Sequence, residues 1–273
     1  MVRNEDLISS TAMRADLDEL PKDNWHHFLR LRDLHQILTE IPLNGVARVL
    51  ELGAGDGVQT MELRKRFAEV VSIDIAAPVD VDGIIVADAE SLPFVDDYFD
   101  LVFSSNVLEH IEQIENSVEE MKRVLTPSGI MIHSMPTGTW KVIQIAARPI
   151  ASMVKIARTV VSVLSKDIEP ARQISHRAIP DSGQPQRSVI SKICGQFIPS
   201  IHGVSSNHFQ EFMCFRTGWW MSKFSEYELN CFRSSPLFLH SPYGMLPYRF
   251  LGLRERLARY GIASVQVFWV RAW

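Results

Sequence analysis

Cysteine is scarce in this 273-residue chain: Cys194, Cys214 and Cys231 lie 20 and 17 residues apart and match no metal-ligand or CxxC spacing. An excess of base is missing too. The chain has 28 Lys and Arg against 32 Asp and Glu, a formal charge of −4 with histidine neutral. A duplex-binding protein carries a clear basic excess or stripe, so no nucleic-acid partner is expected. The opening residues, MVRNEDLISS, hold acids at positions 5 and 6 and no apolar stretch, so no secretory leader is expected and the reduced cytoplasm is the expected compartment. Internal repeats are absent from view. What remains is ordinary: 46% hydrophobic and 22% charged residues exclude disordered, collagen-like and fibrous classes. The length suits one large domain or one and a half, with a substantial core.

Short apolar runs punctuate the first half at residues 47–52 (ARVLEL), 70–75, 83–87, 99–105 and 129–135 (GIMIHSM). Between them lie stretches with helical spacing, notably 58–67 and 114–125, the latter closed by Thr126-Pro127-Ser128-Gly129. Residues 1–46 read as helical and mostly polar, with apolar positions from 25 to 40 that approximate one helix face. Strands alternating with helices predict an α/β fold around a largely parallel sheet. Residues 137–230 supply no convincing strand, and 181–188 (DSGQPQRS) read as an exposed loop. Two more strands, 231–240 and 263–271, with a helical stretch at 246–260 between them, close the chain. The expected organisation is a helical segment at 1–46, an α/β core at 47–136, a long and mostly helical insertion at 137–230 after the fifth strand, and a return to the sheet at 231–273. The insertion is where substrate selection is expected.

The strongest local signal is ELGAGDG, residues 51–57, at a strand-to-helix junction. Its glycines permit a tight turn and close approach of a ligand to the backbone. A dinucleotide fingerprint needs a glycine or alanine where Val58 stands. Glu51 and Asp56 flank the loop and no base follows until Arg64, so a pyrophosphate at this helix start would face two carboxylates, whereas a cationic ligand would not be opposed. Asp74, 21 residues after Gly53, ends the second strand, where an acid can accept from ribose hydroxyls.

ELGAGDG, SIDI with Asp74, ADAESLPFVDDYFDLVFSSNVLEHI and RVLTPSG together resemble the class I S-adenosylmethionine-dependent methyltransferases, in particular the group that includes the quinone-biosynthesis methyltransferases, over about residues 45–136. The resemblance implies a Rossmann-like seven-stranded sheet with helices on both faces, six strands parallel and the last antiparallel, and S-adenosylmethionine bound over the carboxyl ends of the first strands. It places the methionine part of the cofactor near Glu51, Gly53, Ala54, Gly55 and Gly57, the ribose at Asp74, the adenine amino group at Asp88, the ring at the Ala89 backbone, and Asn106 beside the methionine moiety. Where the family usually carries a serine or glutamate before a short helix, this chain has Ala76-Ala77-Pro78.

Three histidines are candidates for removing a proton from an acceptor: His110 beside Glu109, and His202 and His208 in the polar segment PSIHGVSSNHFQEF. The alternatives are a structural histidine at 110 and a surface turn with a helix cap at 202–208. Six residues apart, His202 and His208 do not suit a metal pair on one helix, and no metal site is expected. Trp219 and Trp220 with Phe215 and Phe224 read as core. Residues 121–166 hold seven bases and no acid. At about 100° per residue, Lys141, Arg148, Lys155 and Lys166 share a stripe about 40° wide, opposite an apolar face. This pattern fits either a lid helix or a helix lying on an anionic membrane surface, and Pro149 is expected to start or kink it. The reading is methyl transfer to an oxygen of a glycan, lipid-linked or other bulky small molecule. The alternatives are carbon methylation of a quinone-like substrate and a non-catalytic protein that binds the cofactor.

Overall fold

The computed structural model describes residues 24–76, 82–164, 201–240 and 248–272. Helix α1 (Trp25–Glu40) is capped by Asn24, whose side-chain oxygen accepts from the backbone N–H groups of His26 and His27 at 3.0 and 3.4 Å. Those are donors that the first helical turn leaves without partners. Strand β1 (Arg48–Leu52), helix α2 (Val58–Arg66), β2 (Glu69–Asp74), β3 (Ile84–Val86) and β4 (Phe99–Ser105) follow. A single 3-10 turn at Leu108–His110 precedes α3 (Ile114–Val124) and β5 (Leu125–Pro136). Then come α4 (Gly138–Leu164), α5 (His208–Cys214), α6 (Thr217–Glu226), β6 (Leu229–Pro236), α7 (Leu251–Arg259) and β7 (Val265–Ala272).

The strands form one seven-stranded sheet in the order β3-β2-β1-β4-β5-β7-β6. Only β7 runs against its neighbours, pairing antiparallel with both β5 and β6. This is the Rossmann-like sheet that the resemblance implies. Strand alternation builds a core on each face. Leu50, Val102, Met131 and Phe268 turn to one side with Val118 and Met121 of α3 and Trp220 and Phe224 of α6. Val49, Phe103, Ile132 and Trp269 turn to the other with Leu34 and Ile37 of α1 and Leu63 of α2. The aromatic residues of α6 are therefore core, as their spacing indicates. One boundary differs from the sequence reading. Residues 126–129 do not close a helix; they form an irregularity inside β5, between the pairs Leu125–Phe99 and Ile130–Leu101. Pro127 has no N–H to give a ladder, and a bulge is where a strand tolerates it.

The chain divides into two compact units, Met1–Lys141 with Ile201–His240 and Pro247–Trp273, and Val142–Ser200 with Ser241–Leu246. The divisions fall after 141 and 200. Residues 201–230 go with the sheet because α5 and α6 bury Glu211, Phe215, Trp220 and Phe224. Residues 24–46 go with it because α1 buries Leu34 and Ile37. Of the second unit the described part is the outer run of α4, which exposes Val142, Ile150, Met153 and Val161. That helix continues through Pro149, so Pro149 does not start it. Nor does the four-base stripe exist as expected. Lys141 is only 1% exposed and forms an ion pair with Glu211 at 2.5 Å, so it points inward, away from any membrane. Lys166, Cys194, residues 77–81 and the loop at 181–188 lie outside the described residues. No helix among the described residues is long and apolar enough to cross a membrane.

Candidate functional site

In a parallel sheet the strand order reverses where neighbouring strands connect in opposite directions, and the carboxyl ends open a crevice there. Here the reversal lies between β1 and β4. The loop leaving β1 is drawn over β2: the N–H groups of Gly53 and Ala54 both donate to the Ile73 carbonyl, at 2.9 and 3.0 Å. Gly53, Gly55 and Gly57 have φ of 71°, 57° and 74°, the left-handed region that glycine enters without strain. A Cβ on Gly53 would stand 2.3 Å from Cγ2 of Val107, so the loop and the segment after β4 approach at backbone distance. The Gly55 N–H donates to Asp74 at 2.8 Å, which ties the loop to the end of β2.

The crevice holds a cavity of about 640 Å³. Of the residues assigned to cofactor binding from the sequence, Gly53, Gly55, Asp74, Asp88, Ala89 and Asn106 line it. Glu51, Ala54 and Gly57 do not. Glu51 is buried, and one carboxylate oxygen accepts from Thr60 at 2.5 Å and from Ser72 at 2.7 Å. Burial pushes its carboxyl above the usual range while those two hydroxyls oppose the shift. Glu51 therefore clamps strand β1 to α2 and β2, and its motif position reflects that anchoring. Arg30 of α1 also reaches the cavity wall. The local motif gives no sign of it, because it comes from a helix that precedes the sheet. Among the described residues it is the only Lys or Arg that lines the cavity, against the carboxylates Asp74, Asp88, Glu90 and Glu112. Asp56, the other acid of the loop, turns to His27 at 2.9 Å.

The three candidate histidines do not form one group. His110 lines the cavity. His202 meets it with the two Nε2 atoms 3.2 Å apart. Between them lies Glu109, whose side chain is 2% exposed, with Oε1 3.5 Å from Nε2 of His202 and 4.0 Å from Nε2 of His110. Burial holds the His110 imidazole below its ordinary pKa; the Glu109 charge opposes this and His202 adds to it. His208 belongs elsewhere, 3.4 Å from Glu211. Glu211 in turn accepts the His202 backbone N–H at 3.0 Å and pairs with Lys141. The 92-residue separation between His110 and His202 hid this cluster from any spacing rule.

Residues 50–133 match a protein family described as "Methyltransferase domain". A malonyl-[acyl-carrier protein] O-methyltransferase from Enterobacter lignolyticus is 28% identical over 119 residues, which are 41% of this chain and 47% of the relative. A demethylmenaquinone methyltransferase from Mycolicibacterium paratuberculosis is 35% identical over 91 residues, 31% of this chain and 40% of the relative. The chain thus spans less than half the length of either of these curated relatives. Among solved structures, the complex between the Haloferax volcanii Trm112 methyltransferase activator and the putative methyltransferase aligns over 100% of this chain and 99% of that chain, at 16% identity and a TM-score of 0.50. That likeness concerns the fold.

Proposed function

We propose that this chain, which carries a class I methyltransferase domain, is an S-adenosylmethionine-dependent methyltransferase acting on an oxygen of a bulky small molecule such as a glycan or a lipid-linked compound. The observation that carries the reading is the cavity over β1, β2 and β4, where the glycine loop, Asp74 and Asp88 converge. When bound, S-adenosylmethionine supplies a methyl group on a positively charged sulfur.

The residues fit its parts. Asp74 accepts one backbone N–H on each oxygen, from Gly55 and from Ala76 at 3.1 Å. A carboxylate offers about four acceptor sites, so lone pairs remain for a ribose diol. Asp88 accepts the Glu90 N–H on one oxygen, which leaves the other for an exocyclic amine. A wall with four carboxylates and one guanidinium favours a ligand with a sulfonium, an ammonium and a single carboxylate, and Arg30 is the partner for that carboxylate. The chain aligns the reactants and excludes water, effects that together lower such a barrier by ~7–11 kcal/mol. The Glu109–His110–His202 cluster supports oxygen as the acceptor atom, because a hydroxyl must lose its proton and this cluster borders the cavity through His110.

Two measurements test the reading. Calorimetry is expected to show binding of S-adenosylmethionine and of its demethylated product, and no binding of NAD. Asp74→Ala removes a charge-assisted contact of ~1.5–3 kcal/mol and is expected to weaken binding roughly ten- to hundredfold with the fold intact by circular dichroism. Failure of the wild type to bind cofactor ends the proposal. Incubation with labelled methyl donor and fractionated extract then locates the acceptor. Label in an organic, base-stable ether supports a lipid-linked acceptor beside the cytoplasmic leaflet, and label on ring carbon moves the reaction to a quinone-like substrate.

A further inference from the structure

We propose that Glu109, His110 and His202 bind one divalent transition-metal ion, of the zinc kind, at the edge of the cavity. Their ligand atoms lie within 4.8 Å of one another. The three separations of 3.2, 3.5 and 4.0 Å define a triangle. The point equidistant from its corners is about 2.1 Å from each, within the ~2.0–2.2 Å of Zn–N and Zn–O bonds. The donor set, two imidazole nitrogens and one carboxylate, suits Zn, Mn, Fe or Co, and lacks both the oxygen cage of Ca or Mg and the thiolates of Cu(I).

The second observation is Glu109 itself. Its side chain is 2% exposed and neither carboxylate oxygen has a hydrogen-bond partner among the described residues. A buried carboxylate without hydrogen bonds is strongly disfavoured unless a cation is supplied. The two imidazoles satisfy each other only by sharing one proton between their Nε2 atoms, which leaves that charge unanswered. An ion among the three answers all of them together.

The backbone is built to hold this arrangement. Val204 donates its N–H to the Glu109 carbonyl at 3.1 Å. Gly203, at φ +77°, would place a Cβ 2.3 Å from that same carbonyl oxygen. Only glycine lets the loop lie this close, and His202 is carried in beside Glu109 as a result. On its other side the His202 N–H is fixed by Glu211. Trp140 and Phe215 flank the imidazole at 5.4 and 6.1 Å, an apolar surround of the kind that orients ligands. Three protein ligands with a position open to solvent or substrate are the arrangement of a catalytic site, not a closed structural one. The functional meaning rests on the methyl-transfer reading. An acceptor hydroxyl taken as a further ligand would release its proton to solvent more readily; its oxygen pair would bond to the incoming methyl carbon as that carbon's bond to the sulfonium breaks, the sulfur keeping the pair and leaving as a neutral thioether. Metal binding itself does not rest on that reading.

The test uses the full, untagged chain stripped with a chelator and titrated with Zn²⁺ and with Co²⁺. The expected result is one equivalent of either ion, a visible Co²⁺ absorption spectrum, and a higher melting temperature on binding. His202→Ala and Glu109→Gln should each weaken metal binding at least tenfold, while affinity of His202→Ala for the demethylated cofactor stays within about twofold of wild type. His110→Ala repeats the metal measurement if Glu109→Gln does not fold. Absence of a saturable equivalent in the wild type overturns the site, as does wild-type metal affinity in His202→Ala. Metal binding without cofactor binding leaves the site standing and removes the methyl-transfer reading.

Discussion

Glu211→Ala is expected to destabilise the protein by ~3–5 kcal/mol, because it leaves the Lys141 ammonium buried without the carboxylate that faces it at 2.5 Å. Lys141 is 1% exposed and Glu211 is fully buried, so water does not replace the lost partner. Folded proteins are stable by only about 5–15 kcal/mol, so a loss of this size takes a large share. At roughly 2–4 °C per kcal/mol for a chain of 150–250 residues, the melting temperature should fall by about 10 °C. The double variant Lys141→Met/Glu211→Leu tests the cause. Most of the loss comes from a buried charge deprived of its carboxylate and not from the absence of attraction, so apolar replacement of both members of the pair should restore most of the stability. Urea melts of Lys141→Met, Glu211→Leu and the double variant close the cycle. A single-variant loss under about 1 kcal/mol would contradict the burial. Glu211→Ala also frees the His202 N–H from its acceptor. A folded remnant of that variant should therefore bind Zn²⁺ more weakly, which makes Glu211 a positioning residue for the cluster.

The Lys141 result shows where periodicity stops informing. Helical spacing correctly groups Lys141, Arg148 and Lys155 on one side of α4, but it does not say which turn of that side meets protein. The first turn packs beside α5, where Glu211 waits from 70 positions further along the chain. The placement of the glycine loop and Asp74 at the cavity was legible because it follows from strand ends, and that of Asp88 came from the resemblance. A parallel strand delivers its carboxyl terminus to one edge of the sheet, and the residue types there declare what they accept. The first five strands were legible as short apolar runs, and two further strand candidates closed the chain where β6 and β7 lie. Glu51 shows what a motif position leaves open. It sits in the motif, yet its carboxylate turns inward to Thr60 and Ser72 because the alternation of β1 points that side chain under the loop. Arg30 and the Glu109–His110–His202 cluster depend on tertiary closure between elements far apart in sequence, and no local rule brings them together.

Acid should destabilise the protein steeply through a different group, His133. It lies in β5 at 0% exposure. Nδ1 is 2.8 Å from the Ser104 hydroxyl, Nε2 has no hydrogen-bond partner among the described residues, and the Phe224 ring lies 6.1 Å away. Burial pushes its pKa down to about 3. Unfolding returns the imidazole to water and to a pKa of about 6.5. Above about 6.5 neither state binds the proton and His133 adds no pH dependence. Between about 6.5 and 3 the unfolded chain takes up a proton that the folded chain refuses, so stability falls by ~1.4 kcal/mol for each pH unit lost, or roughly 4–5 kcal/mol across the window. Other groups also act in acid. Glu62 and Glu120 have lowered pKa values and lose stability in the same direction, while the raised Glu51 acts against them. The His133 share is isolated by comparison with His133→Gln, which keeps a polar side chain but does not titrate. Stability of both proteins, measured by urea unfolding from pH 7.5 to the lowest pH at which the variant stays folded, should give a difference curve with that slope. A flat difference curve would mean that the imidazole titrates freely in the folded protein, and that the β5 core opens to water around it.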